Sequence, residues 1–267
     1  MGLINWQELW EIKLQSAHRT ELNTVDFWDK RAKGFNENMS QMQNLTKNQL
    51  ERIQLKPEYT VLDVGAGAGR LTIPIAKRVK HVTAIEPSVN MFSILKSNTT
   101  KENLQNITAL NRSCEDLLLE DAVQPHDVVV ASFSLFMVNI AHVLEKMDTL
   151  ANKTVYIFVS ASTWMHDELQ KIVNGDVSPI KSSDYIYVYN ILHDLGILAN
   201  VDIWSSDSTH CYHNLDDATS KFGEMYNIAA NKKADLRAYL NKHLVKEDKK
   251  LCLKHERKTA MIWWTKT

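Results

Sequence analysis

Short apolar runs alternate with helix-like segments between residues 60 and 160, and this alternation constrains the fold more than any other feature of the chain. TVLDV, HVTAIE, NITALN, HDVVVASFS and KTVYIFVS read as strands. RLTIPIAKRV, VNMFSILKSNTTK and NIAHVLEKMDTLA read as helices between them. Strands this apolar must be covered on both faces, and strand–helix alternation with short links indicates a parallel sheet. Pro74 is tolerated in the first of these helices because the N–H groups of a first turn have no intrahelical partner.

The flanks read differently. Residues 1–56 are expected to be helical, since WQELWEIKL and QMQNLTKNQLERIQL carry apolar residues at helical spacing. Asn44 or Thr46 is a candidate N-cap for the second helix, and Pro57 a candidate stop. Beyond residue 161, SSDYIYVYNILHDLGI reads as a helix stopped at Gly196, and ANVDIWSSDSTHCYH as a strand. LDDATSKFGEMYNIAA and KKADLRAYLNKHLVKEDKK read as two helices, and TAMIWWTK as a last strand. The expected organisation is one α/β domain: helices over 1–56, a core over 57–161, a cap with a late strand over 162–258, and a final strand over 259–267.

Composition excludes several classes. Lys and Arg total 31 against 32 Asp and Glu, which argues against a dedicated nucleic-acid binder. Cys114, Cys211 and Cys252 are odd in number, far apart and without CxxC spacing, so a disulfide is not expected and a cytoplasmic setting is. The opening MGLINWQELWEIK lacks the basic start and apolar stretch of a secretory signal. No apolar run approaches the ~20 residues that span a bilayer, so no membrane partner is expected.

Within the alternating region, VLDVGAGAGR places Gly65, Gly67 and Gly69 just after the first strand, in a chain with only 8 glycines. Glycine there permits a sharp turn and lets a ligand approach bare backbone. Glu86 closes the second strand roughly 20 residues beyond Gly67, where a carboxylate can accept both hydroxyls of a ribose diol. A dinucleotide fingerprint would place its third glycine at position 70, which is Arg70 here. Asp63 also disfavours a nearby phosphate and favours a cationic amine or sulfonium. These residues point to a nucleoside bearing a charged amino-acid tail.

VLDVGAGAGRLTIPIAK together with VTAIEPSVNM resembles the class I S-adenosylmethionine-dependent methyltransferases of the small-molecule type. NRSCEDLLLED and HDVVVASFSLFMVNI resemble the family's third and fourth blocks, and FWDKRAKGFNE resembles its lid helix. The resemblance implies a Rossmann-like, doubly wound, mostly parallel seven-stranded sheet with an N-terminal helical lid and a helical cap insert. It implies S-adenosylmethionine as cofactor and transfer of its methyl group by in-line displacement. Asp63, Gly65, Ala66 and Gly67 would hold the methionyl end and Glu86 the ribose. Pro87 and Met91 would line the adenine slot, with Cys114 and Glu115 at its edge. Ser132, Phe133 and Ser134 would face the methyl group. Arg112 and Ser113 depart from the Gly-Asp pair common in the third block.

The acceptor side is less legible. Candidates for substrate contact are Trp28, Arg31, Phe35 and Ser134, with Tyr185, Tyr189 and His193, which share a helical face and are also the candidates for a catalytic base. An aromatic stripe of this kind is more often a packing face than a pocket. Tyr187, Asn190, His210, Tyr212 and His213 are further candidates. HCYH is not expected to hold a metal, because no second cluster completes four ligands. Residues 231–258 hold ten basic against four acidic residues, a pattern of a solvated helix face or of an anionic partner. The alternatives to a small-molecule enzyme are an RNA or protein methyltransferase, and a catalytically silent nucleoside-binding fold. SFSLF after the fourth strand lacks the signature of base-amino methylation, which makes nucleic acid an unexpected partner.

Overall fold

A computed structural model describes residues 4–15, 24–116, 124–162, 165, 167–174, 183–226 and 228–266. The alternating region forms strands β1 (Thr60–Val64), β2 (His81–Ile85), β3 (Ile107–Leu110), β4 (His126–Ser132) and β5 (Ala151–Ser160). Three more follow: β6 (Asn200–Tyr212), β7 (Val245–Glu247) and β8 (Lys250–Thr265). They make an eight-stranded sheet in the order β3-β2-β1-β4-β5-β8-β6, with β7 paired to β8. β1 to β5 run parallel, and β8 lies antiparallel between β5 and β6. The strand order reverses between β1 and β4, so a crevice opens at their carboxyl ends, where ligands of such sheets bind.

Helices cover both faces. α1 (Trp6–Gln15), α6 (Ile140–Thr149) and α8 (Asp184–Asp194) lie on one. There Trp10, Leu14, Val143, Leu144, Met147, Val188 and Ile191 pack on Leu62, Val129, Ile157 and Ile262. The other face carries α4 (Thr72–Ala76) and the end of α3 (Gln43–Leu50), where Leu50, Leu71 and Ile75 pack on Val61, Val128 and Phe158. α5 (Val89–Lys101) covers β2 through Leu95 against Ala84. Pro74 sits inside the short α4, as the free N–H groups of a first turn allow.

β6 and β8 are longer than the sheet requires. β8 pairs with β5 only over 259–265, but with β6 along the whole of the latter. The surplus forms a ribbon beyond the carboxyl end of β5, next to the crevice. A second core of Leu169, Ile172, Tyr212, Ala218, Phe222, Leu236, Tyr239 and Leu253 packs on it. These residues join the ribbon to α7 (Asp167–Asn174), α9 (Leu215–Met225) and α10 (Lys233–His243).

Several expectations are corrected by these contacts. The sheet has eight strands rather than seven, because VKE pairs as β7. The helix expected through KEDKK ends at His243, and Asp248, at φ 50, turns the chain into β8. The final strand begins at Lys250, not residue 259. Lys254, Glu256 and Lys258 face solvent while Leu253, His255 and Arg257 are turned inward, so a two-residue period and a full ladder to β6 override helix propensity. Asn44 and Thr46 lie inside α3, which continues from a 3-10 turn at Met39–Met42 and ends at Leu50, well before Pro57. Cys211 and Cys252 face one another across β6 and β8 and form a disulfide, S–S 2.08 Å, against the expectation of none. Only the antiparallel register brings together two cysteines 41 residues apart.

α1, part of the segment expected to form the N-terminal lid, packs against α6 and α8. It is anchored into the sheet-covering layer by Trp10 Nε1, which donates to the Met137 carbonyl (2.8 Å), and by a buried ion pair from Lys13 to Asp184 of α8 (2.8 Å). Among the described residues, no helix is long and apolar enough to cross a membrane.

Candidate active site

The crevice between β1 and β4 widens into a chamber of about 1280 Å³. A single ligand pocket typically measures roughly 300–1,000 Å³, so this one has room for two molecules side by side. Its floor is the glycine turn, its roof α2 (Val25–Asn38), and its far wall the β6–β8 ribbon with α9.

The turn is set by backbone geometry. Gly65, Gly67 and Gly69 have φ of 73, 57 and 93°, a region closed to most L residues. Gly65 and Ala66 N–H both donate to the Ile85 carbonyl at 2.9 Å, which locks the turn to β2. A Cβ on Gly65 would stand 2.3 Å from the Ser134 Cβ, whereas one on Gly67 would meet only Phe35, at 3.9 Å. Gly65 is therefore required by packing and Gly67 by the space above it. Trp28 stacks on Phe136 at 5.8 Å and meets Phe35 edge-on at 6.4 Å, so an aromatic roof stands over Gly67. Asp29 holds that roof down: its carboxylate accepts from Ser88 Oγ and from the Asn90 N–H (3.0 Å) at the start of α5.

Glu86 follows directly after β2. Its two oxygens accept from the Gly67 N–H (2.7 Å) and the Ser88 N–H (2.9 Å), and its carbonyl accepts from Asn111 Nδ2 (2.8 Å). A carboxylate has about four acceptor positions, so each oxygen retains one. Burial raises the Glu86 pKa, opposed by the two N–H donors. Pro87, Met91, Cys114 and Glu115 continue this wall. Lys146 Nζ fixes the Cys114–Glu115 turn by donating to the Glu115 carbonyl at 2.6 Å. Burial pushes the Cys114 thiol up to about 11, so it is a packing group and not a nucleophile.

Asp63 and Arg70 face the chamber from below. Asp63 accepts from Thr72 Oγ1 at 2.7 Å. Arg70 donates to Thr46 Oγ1 (3.0 Å), Gln49 Oε1 (2.8 Å) and Ser132 Oγ (2.7 Å), tying α3 to the ends of β1 and β4. Burial pushes the Asp63 pKa up to about 6, against the Thr72 hydrogen bond and the Arg70 charge. A folded-state pKa above the usual 3.8 means the folded protein binds this proton more tightly than the unfolded chain. The stability it contributes is present at low pH and lost as pH rises from about 4 to about 6. Asp63→Asn is therefore expected to flatten that part of the melting-temperature profile, read by scanning calorimetry of the ligand-free protein.

The structure brings together Asp63, Gly65, Ala66, Gly67, Glu86, Pro87, Met91, Cys114, Glu115, Ser132, Phe133 and Ser134, with Trp28, Arg31 and Phe35, around one chamber. Besides Asp63, Glu86 and Ser132, two more of these are engaged. Ser134 Oγ donates to the Val64 carbonyl at 2.5 Å, and Arg31 lies 3.7 Å over the Phe27 ring and donates to the Glu224 carbonyl at 2.7 Å. Arg31 thus joins the roof to α9. Tyr185, Tyr189 and His193 are not part of the chamber. α8 packs on the sheet through Tyr187, Val188 and Ile191, which leaves Tyr189 and His193 exposed and Tyr185 at the margin of that core. Their shared face thus runs from the margin of the core to solvent. Tyr212 and His213 do line the chamber, while His210 stacks on His255 at 5.3 Å. Cys211 is bound to Cys252, so HCYH offers no thiolate. The sequence gives no periodic signal for Gln49, Asn111 or Phe136, whose roles arise from tertiary contacts alone.

Residues 61–154 match the family described as a methyltransferase domain. An uncharacterised protein of Haemophilus influenzae is 27% identical across 98% of this chain and 96% of its own length. The crystal structure of YcgJ from Bacillus subtilis superposes with a TM-score of 0.59 over 83% of this chain and 97% of that one, at 12% identity. DhpI, solved in complex with SAH, superposes with a TM-score of 0.51 over 68% and 90%, at 16% identity. The expected methyltransferase resemblance is borne out over residues 61–154 by the family matched, and the expected Rossmann-like fold by the solved structures.

Proposed function

We propose that this chain, whose residues 61–154 form a methyltransferase domain, uses S-adenosylmethionine to methylate a small-molecule acceptor inside the chamber. The observation that carries the reading is the pairing of a bare glycine turn with the Glu86 carboxylate on one floor, beneath a chamber with room for two ligands. The residues fit the cofactor. Glu86 offers acceptors to a diol, Pro87 and Met91 an apolar slot, and Asp63 a negative charge near the turn. When bound, the cofactor supplies a methyl group made electrophilic by its sulfonium.

The chain contributes binding, orientation and exclusion of water. Gly67 leaves open space where a side chain would intrude. The aromatic roof and the Arg31 strut to Glu224 close the chamber above it. Holding two reactants in line within such an enclosure supplies up to roughly 7–11 kcal/mol in well-oriented cases. A chamber lined by α2, α9 and the β6–β8 ribbon suits a small acceptor better than an RNA or a protein surface. Glu86→Ala is expected to weaken S-adenosylhomocysteine binding by about 1–3 kcal/mol, through loss of charge-assisted hydrogen bonds. Calorimetry showing unchanged affinity would remove the ribose assignment.

A further inference from the structure

We propose that the acceptor carries an anionic group, carboxylate or phosphate, and that Arg257 receives it. This deepens the methyltransferase reading and rests on it. Arg257 lies on the protruding part of β8, just past the last residue paired to β5, with its side chain turned to the chamber. Its guanidinium is 5.3 Å from the centre of the Phe133 ring. Phe133 itself is held at φ 53 immediately after β4, at the mouth of the cofactor crevice. The guanidinium thus stands where the acceptor half of the chamber meets the cofactor half.

Its surroundings set it apart from the other cations of the chamber, of which Lys250 is exposed to solvent. Lys13 is paired with Asp184, Lys30 with Asp26, and Lys221 with Asp217. Arg31 donates to a carbonyl, and Arg70 to three side chains. Arg257 has no carboxylate or hydrogen-bond acceptor among the described residues. Its neighbours are the Phe133 ring, Tyr226, Arg70 and His210, and the last is held neutral with its pKa lowered to about 4. Burial lowers the pKa of Arg257 itself, yet arginine stays protonated. A partly desolvated charge without a counter-charge is unfavourable, and an entering anion relieves it. The planar fork of a guanidinium suits a carboxylate or phosphate in particular, because it donates two parallel hydrogen bonds.

The test uses the full-length protein and separates the two readings. S-adenosylhomocysteine affinity is measured first, by calorimetry. The loaded protein is then titrated with benzoate and phenyl phosphate, and with uncharged benzamide. At least one anion is expected to bind tenfold or more tightly than benzamide. Arg257→Gln should lower that anion's affinity at least tenfold, with S-adenosylhomocysteine affinity within twofold of wild type. Arg257→Lys should fall between, which guards against a folding defect. Anions binding no better than benzamide, or binding equally well to Arg257→Gln, would overturn the proposal and leave the cofactor reading intact. A tenfold loss of S-adenosylhomocysteine affinity in Arg257→Gln would overturn it too, by assigning the guanidinium to the cofactor's own carboxylate. Failure of wild-type protein to bind S-adenosylhomocysteine would remove both readings.

Discussion

Gly65→Ala is expected to abolish measurable S-adenosylhomocysteine binding and to destabilise the fold at the same time. The backbone at Gly65 sits at φ 73, which costs an L residue roughly 1–2 kcal/mol. The added methyl would stand 2.3 Å from the Ser134 Cβ, and Ser134 is held by its hydrogen bond to the Val64 carbonyl. Relief requires the ends of β1 and β4 to separate, and overpacking of this kind adds typically about 1–3 kcal/mol. The same movement displaces Ala66 and Gly67 from Glu86. Gly67→Ala is the control, since its Cβ meets nothing closer than Phe35 at 3.9 Å. That variant should fold with a loss nearer 1 kcal/mol, from φ alone, while still obstructing the ligand. Thermal unfolding and calorimetry on the two variants check this contrast. Equal melting temperatures would show that Ser134 does not brace the turn.

Removal of the Lys13 charge should have the second large effect. Lys13 Nζ lies 2.8 Å from Asp184 and 4.3 Å above the centre of the Tyr187 ring, and its side chain is 3% exposed. Lys13→Met leaves the Asp184 carboxylate buried beside an apolar chain. Breaking one side of a buried pair costs about 3–5 kcal/mol. In a chain of this size each kcal/mol shifts the melting temperature by roughly 2–4 °C, so a fall on the order of 10 °C is expected. Lys13→Met combined with Asp184→Asn should recover part of it, because no uncompensated charge remains. A double variant as unstable as the single one would show that the loss comes from packing around Trp10 and Tyr187. Both residues also line the chamber, so S-adenosylhomocysteine affinity at temperatures where the variant is folded separates bracing of the fold from contact with the ligand.

These two variants probe parts of the molecule that differ in how far they can be read from residue order. The glycine turn and Glu86 are local: a strand, a tight turn and the next strand end place them within one βαβ unit. The pair from Lys13 to Asp184 joins residues that nothing in the sequence connects. The same holds for Arg70 with Gln49 and Ser132, and for Arg31 with the Glu224 carbonyl. Aromatic spacing at 185, 189 and 193 suggested a pocket, yet the stripe of α8 that reaches the sheet is Tyr187, Val188 and Ile191. A helix carries two plausible faces, and only the neighbour it packs against selects one.

Strand–helix alternation, the three glycines and the acid roughly 20 residues on determined by themselves the parallel core and the floor of its crevice, because each depends on interactions within a few turns of chain. The antiparallel ribbon, the Cys211–Cys252 bond, the placement of Arg257 and the enclosing roof were decided by tertiary structure. They arise from register between strands 41 residues apart at the cysteines and from helices meeting across the crevice. Burial and charge there belong to the assembled surfaces and to no single segment.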